Sequence, residues 1–293
     1  MLKDINSANF PLPLFEIYIV MKHKAFIVPH DFTPVATIAL QHAIETSKRE
    51  NTTIHVLHVV EEEEEIQSAT EKIDAIVKAH EVSGITITNN VRIGNIFTTI
   101  AEFSSEHKAE MIFMGTHGAH GWQHVVGSNA LRVVTSSPTP FIIVQEKTPK
   151  SGGYKNIVVP LDLHKETKQK LAIVAKLARY FDSKVHIVTP EETDSYLKYQ
   201  VETNIMFAES YFQELGIPMN SAVLPGKEFD TEVVRYGVSI DADLIAIMNL
   251  NRQGILGVFT TSYEQAIITN DALIPTLILN PVETTEIYGA WFD

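Results

Sequence analysis

The stretch from Met111 to Gln145, MIFMGTHGAHGWQHVVGSNALRVVTSSPTPFIIVQ, holds the residue types best suited to cradling an anion. An apolar run, Met111 to Met114, is long enough for a buried strand and too short for a helix. Gly115, Gly118 and Gly121 then punctuate a polar loop that closes at Gly127 and Ser128. Ala130 to Val134 has the pattern of a helical turn, and Pro140 to Val144 that of another buried strand. Strand, glycine loop, helix, strand is the order that gathers backbone N–H groups and a helix N-terminus around negative charge. Glycine spacing alone fits an ordinary strand-to-helix turn equally well, and Ser128 would cap the helix in either case. The same loop holds His117, His120 and His124, with His30 and His58 at other predicted strand ends. Neutral imidazoles in that number suit zinc or nickel, although histidine is also an ordinary loop residue. No paired carboxylates, serine nucleophile motif or phosphate-loop lysine stands out, so the pattern favours binding over turnover.

The elements that must carry these residues alternate strand and helix. Ala25 to Val28 reads as a strand, followed by Thr33 as a helix N-cap and Pro34 in the first helical position. Ala36, Ala39, Leu40, Ala43 and Ile44 then form one apolar stripe. Ile54 to Val60 is a second strand, and Glu61 to Glu65 is a solvated entry to a helix spanning Ile66 to His80. Ile85 to Ile93 is strand-like, and Gly94-Asn95 turns into a helix over Phe97 to His107. Such alternation predicts a doubly wound parallel sheet.

The chain has 293 residues, 45% of them hydrophobic, which is enough for two domains of ordinary size. A formal charge of −13 opposes binding to nucleic acid or to an anionic membrane. Cysteine is absent, which excludes disulfides, thiolate metal sites and cysteine nucleophiles. No apolar run approaches the ~18 residues that span a bilayer. Near the N-terminus, Pro11, Pro13 and Glu16 interrupt the one stretch that imitates a signal peptide, so a cytoplasmic location is expected.

After the polar segment Glu146 to Tyr154, EKTPKSGGY, the pattern starts again. Ile157-Val158-Val159-Pro160-Leu161-Asp162 repeats Phe26-Ile27-Val28-Pro29-His30-Asp31, and Leu244 to Met248 repeats Met111 to Met114. The offset is 131 residues at Asp31 and Asp162 and 134 at Met114 and Met248, a drift small enough to mark two copies of one domain. The expected layout is an extension over 1–21, a first domain over 22–147, a linker over 148–153, a second domain over 154–282 and a tail over 283–293. In the second copy Asn249 stands where Gly115 stood, Arg252 replaces Gly118 and Thr261 replaces Gly127.

Ile27-Val28-Pro29-x-Asp31-Phe32-Thr33, the Leu57-His58-Val59 strand end, the Gly94 turn and Met114-Gly115-Thr116-His117-Gly118 followed by Gly127-Ser128 together resemble the landmarks of the universal stress protein family, in order. The chain resembles a tandem, two-domain member. Eight residues, Ala119 to Val126, separate Gly118 from Gly127, against nine in the family's ATP-binding members. The resemblance implies an α/β fold of two tandem five-stranded, doubly wound parallel-sheet domains with strand order 3-2-1-4-5, of the adenine-nucleotide α-hydrolase-like kind. It implies an adenosine site at Pro29, Asp31 and Val59. Ribose and phosphates would lie against Met114, Gly115, Gly118, Gly127, Ser128 and Asn129. The ligand implied is ATP or a related adenine nucleotide, with Mg2+ if a triphosphate, held in the first domain only. The role implied is a stress-response sensor or adaptor with an unidentified protein partner. Alternatives are a nucleotide-independent interaction module and, third, a slow ATPase. The two domains are expected to form an intrachain pseudo-dimer through their last strands, with a homodimer of chains as a further possibility.

Overall fold

In a computed structural model, residues 24–49, 52–116, 137–161, 169–249 and 262–281 are described. Ten strands form one sheet in the order β3-β2-β1-β4-β5-β10-β9-β6-β7-β8. The first five are β1 (Lys24–Pro29), β2 (Thr52–Val60), β3 (Thr86–Ile93), β4 (Met111–Gly115) and β5 (Phe141–Val144). The second five are β6 (Asn156–Pro160), β7 (Lys184–Pro190), β8 (Met219–Leu224), β9 (Leu244–Met248) and β10 (Thr276–Leu279). Each set is parallel internally and follows the order 3-2-1-4-5.

The three described helices of the first half are those the sequence predicts, while the helical turn expected at Ala130 to Val134 lies outside the described residues. α1 (Pro34–Ser47) begins at Thr33, whose Oγ1 accepts from the Ala36 N–H, and its stripe from Ala36 to Ile44 is buried. A short 3-10 turn over Glu63–Glu65 leads into α2 (Ile66–Ala79), and all five residues Glu61 to Glu65 are exposed. α3 (Ile96–Glu106) is capped by Asn95, whose side chain accepts from the Phe97 N–H at 3.0 Å. In the second half α4 (Lys170–Phe181), α5 (Ser195–Glu214), α6 (Phe229–Ser239) and α7 (Ser262–Ile268) follow.

Two cores sandwich the sheet. On one face α1, α2, α4 and α5 cover Phe26, Val28, Val56, Phe113, Val159 and Ile187. On the other, α3, α6 and α7 cover Ile27, Leu57, Ile112, Val158, Ile245 and Ile278. Because both faces are covered, the central strands are continuously apolar rather than alternating.

The halves join edge to edge. β5 pairs antiparallel with β10, Ile142 opposite Leu277, and Phe141, Ile142, Leu277 and Ile278 are fully buried. Each such side chain contributes roughly 1.5–3 kcal/mol on burial, so the joint is a stretch of continuous core. Gln145 donates to the Asn270 carbonyl at 3.0 Å and Asn280 to the Ser137 carbonyl at 2.8 Å, one bond in each direction across it. The polar segment after β5 is tied to both halves. The Gly152 N–H donates to Glu45 of α1 at 2.8 Å, and Lys150 bridges Asp241 and Asp243 at 2.6 and 2.8 Å. Gly153 has φ +73°, and a Cβ there would lie 2.2 Å from the Phe181 ring, so only glycine makes this turn. Buried His42 stands between the Tyr154 hydroxyl and the Lys147 carbonyl, both at 2.9 Å.

Among the described residues no helix is long and apolar enough to cross a membrane.

Candidate functional site

The strand order of the first half reverses between β1 and β4, and in open α/β sheets the crevice at that point, beyond the carboxyl ends of the strands, is where ligands bind. Pro29 is the last residue of β1, and the turn from it into α1 is held from several sides. Phe32 has φ +66°, a left-handed conformation that costs a bulky residue about 1–3 kcal/mol and persists only where its surroundings fix it. Its N–H donates to Nδ1 of buried His30 at 3.0 Å, and its ring lies 4.3 Å from that of His58 and 5.3 Å from Lys72 Nζ. Because His30 Nδ1 accepts, the proton sits on Nε2, which donates to Thr37 Oγ1 at 3.3 Å. Burial lowers the His30 pKa to about 4, against the pull of Asp31, so the ring is neutral at pH 7. Asp31 is exposed; its Oδ1 accepts from the Thr33 N–H at 3.1 Å and from the Thr33 hydroxyl. This turn motif holds the exposed carboxylate just past the end of β1 and leaves the capping of α1 to Thr33.

At the end of β2 the backbone is left open. The Leu57 carbonyl accepts from the His30 N–H at 2.9 Å, and the Val60 carbonyl from the Gly94 N–H on the other side, also at 2.9 Å. Backbone groups alternate along a strand, so Val59 shares the side of Leu57 and faces the space beyond β1. A continued ladder would put the Val59 N–H on the His30 carbonyl. His58 Nδ1 donates to that carbonyl instead, at 2.7 Å. Among the described residues neither the N–H nor the C=O of Val59 has a hydrogen-bond partner.

Met114 is partly buried on the α3 side, and Gly115 is the last residue of β4 rather than part of the loop after it. A Cβ on Gly115 would lie 2.5 Å from the Val35 carbonyl oxygen, so the glycine lets β4 approach the first turn of α1. That packing need exists with or without a ligand. Thr116 is buried, and its hydroxyl has no hydrogen-bond partner among the described residues. The structure thus brings Pro29, Asp31, Val59, Met114 and Gly115 to the ends of three adjacent strands. Gly118, Gly127, Ser128 and Asn129 lie outside the described residues, as do His117, His120 and His124. Among the described residues no three metal-ligating side chains cluster.

The second half offers an internal comparison. Pro29 is in register with Leu57, and Pro160 with Val188, so the position matching Val59 is Pro190. Proline has no N–H to present. At the position of Gly115, Asn249 is fully buried and donates to Asn280 at 2.8 Å. Asp162, Arg252 and Thr261 lie outside the described residues. The proline is readable from the 131-residue offset. The roles of His30 and His58 are not, since nothing in their spacing shows which backbone carbonyl a ring will meet.

Residues 22–145 match the sequence profile of the universal stress protein family. The first half is similar to a universal stress protein domain. Its relatives include a universal stress protein of Methanocaldococcus jannaschii, 28% identical over 144 residues, 42% of this chain and 83% of that protein. Another is universal stress protein G of Shigella flexneri, 25% identical over 142 residues, 42% of this chain and 99% of that protein. A solved universal stress protein from Archaeoglobus fulgidus shares the fold at a TM-score of 0.68 and 16% identity, covering 88% of this chain and 97% of its own. That likeness spans both halves of the sheet.

Proposed function

We propose that this chain binds an adenine nucleotide, ATP among them, in its universal stress protein-like domain, and acts as a stress-response sensor or adaptor rather than as a catalyst. The observation that carries the reading is the free edge of Val59. A backbone N–H beside a backbone C=O complements the edge of adenine, where a ring nitrogen accepts and the exocyclic amine donates. Asp31, the second residue past the end of β1, carries an exposed carboxylate able to accept from a ribose hydroxyl. Gly118, Gly127, Ser128 and Asn129 carry the phosphate role by resemblance, and Mg2+ would accompany a triphosphate. With a formal charge of −13 the chain has no general attraction for anions, so the site would rely on aimed N–H groups.

Binding is assigned to the first half alone. Pro190 withholds the donor that Val59 offers, and the Asn249 side chain stands where Gly115 has none. The two halves then work as an intrachain pseudo-dimer with one ligand-responsive side, and the other serves as support or as a surface for a protein partner. Mass spectrometry of small molecules released from protein purified without added nucleotide tests the reading. An adenine nucleotide at no more than one per chain is expected. A chain that carries none and takes up none from millimolar ATP would leave a nucleotide-independent interaction module in its place.

A further inference from the structure

The two copies of the repeat treat one helix differently. α2 and α5 occupy the same place, after the second strand of each half. The outer side of α2 is solvated in the usual way, with Glu71, Lys72, Asp74 and Lys78 exposed. α5 buries Val201, Asn204, Ala208 and Phe212 and turns Tyr196, Tyr199 and Met206 outward, exposed at 67, 67 and 64%. At 3.6 residues per turn, Tyr196, Tyr199, Thr203, Met206 and Ser210 fall within roughly 80° of arc, along about 21 Å of helix. No charge interrupts that stripe, whereas Lys198, Glu202 and Glu209 all lie along one flank. Tyrosine and methionine exposed in one uncharged row mark an interaction surface.

We propose that this face of α5 is where two copies of the chain pair, antiparallel, about a two-fold axis near Thr203. Two properties select a second copy as the occupant. A chain of charge −13 repels its own copy, so self-contact needs a patch without charge, and in an isologous interface that patch meets itself. A two-fold perpendicular to both helices keeps each flank on its own side and reverses the order along it. Residue 198 of one helix then faces residue 209 of the other, so Lys198 meets Glu209 twice, once on each side of the axis, with Glu202 beside its own copy between the two pairs. At ~200 Å² for a large side chain the three outward residues supply roughly 400 Å² per copy, half of the about 800 Å² per partner of a standard interface, so the flanks supply the other half as a polar rim.

Sedimentation of the full chain and of surface variants tests this. The wild type is expected to dimerise with concentration, and Met206→Glu to weaken the dimer at least about tenfold by burying an unpaired charge against Tyr199 of the second copy. Lys198→Glu should weaken it, and Lys198→Glu with Glu209→Lys should restore it, which a merely structural effect of either change would not do. The chain has no cysteine, so Thr203→Cys should give a disulfide-linked dimer on oxidation and nothing larger. A monomer at the highest soluble concentration would overturn the proposal, as it would if the chain's own N-terminal or C-terminal segment covered the stripe. So would a dimer indifferent to Met206→Glu, or a Thr203→Cys chain that does not cross-link.

Discussion

Lowering the pH should loosen the joint between the halves, and His42 is the residue through which most of that effect acts. Its ring is buried with both nitrogens engaged. Nε2–H donates to the Lys147 carbonyl, so Nδ1 must accept from the Tyr154 hydroxyl, an arrangement complete only for the neutral ring. Burial lowers its pKa to about 4. The Lys147 carbonyl and Glu45 pull the other way without cancelling the effect. The unfolded chain binds this proton near pH 6.5, so between about pH 6.5 and 4 it binds more protons at this site than the folded chain. The stability His42 supplies is therefore complete above pH 6.5 and is lost as pH falls towards 4. Each unit is worth 1.36 kcal/mol, which gives a loss of about 2 kcal/mol by pH 5 and about 3 kcal/mol at and below pH 4. His30 adds to the acid sensitivity by the same sign, so the wild-type curve alone does not isolate His42. His42→Gln does, because its amide can donate to Lys147 and accept from Tyr154 but cannot titrate. Urea unfolding at about pH 7.5 and pH 5 should show the wild type losing about 2 kcal/mol more than the variant. Equal losses in the two proteins would show that His42 is not the titrating joint.

Gly115→Ala should destabilise the first half by about 1–3 kcal/mol in urea unfolding, since its Cβ would lie 2.5 Å from the backbone of Val35; a neutral result would mean that β4 and α1 part easily. Thr33→Ala should cost about 1 kcal/mol through loss of the cap on α1. The same variant removes the hydroxyl that holds Asp31 Oδ1 and leaves only the backbone N–H at 3.1 Å, so it should also weaken ATP binding, measured by calorimetry. Gly153→Ala should cost more than Gly115→Ala, because it combines a left-handed backbone with a clash against Phe181; thermal unfolding ranks the two.

The parts of this fold set by local chemistry are legible in the sequence itself. Thr33 with Pro34 announces the start of α1, and the stripe from Ala36 to Ile44 fixes its buried face. The unbroken apolar runs at Phe26-Ile27-Val28 and Ile157-Val158-Val159 announce strands covered on both sides, and their 131-residue offset announces the repeat. Strand order comes with the family resemblance rather than from spacing. The site is legible only as residue types at strand ends. That Gly115 serves a close approach to Val35 is a fact of three-dimensional packing, which glycine spacing does not encode. The free edge of Val59 depends on His58 reaching across to the His30 carbonyl, a contact between residues 28 apart in the chain. The polar segment over 146–154 reads as a tether because its composition is polar. Its fixed path comes from Glu45, Asp241 and Asp243, all distant in sequence.

The central claim rests on one backbone N–H, and proline removes it while leaving the strand's own ladder intact. Calorimetric titration of ATP into the wild type and Val59→Pro, which copies Pro190 of the second half, therefore tests it most directly. One net hydrogen bond is worth about 0.5–1.5 kcal/mol, and the proline ring also projects where the ligand edge must lie, so a loss of at least about tenfold is expected. The wild type should bind one nucleotide per chain, and urea unfolding should show the variant folded. Binding of equal strength in Val59→Pro, or two equivalent sites in the wild type, would contradict the account.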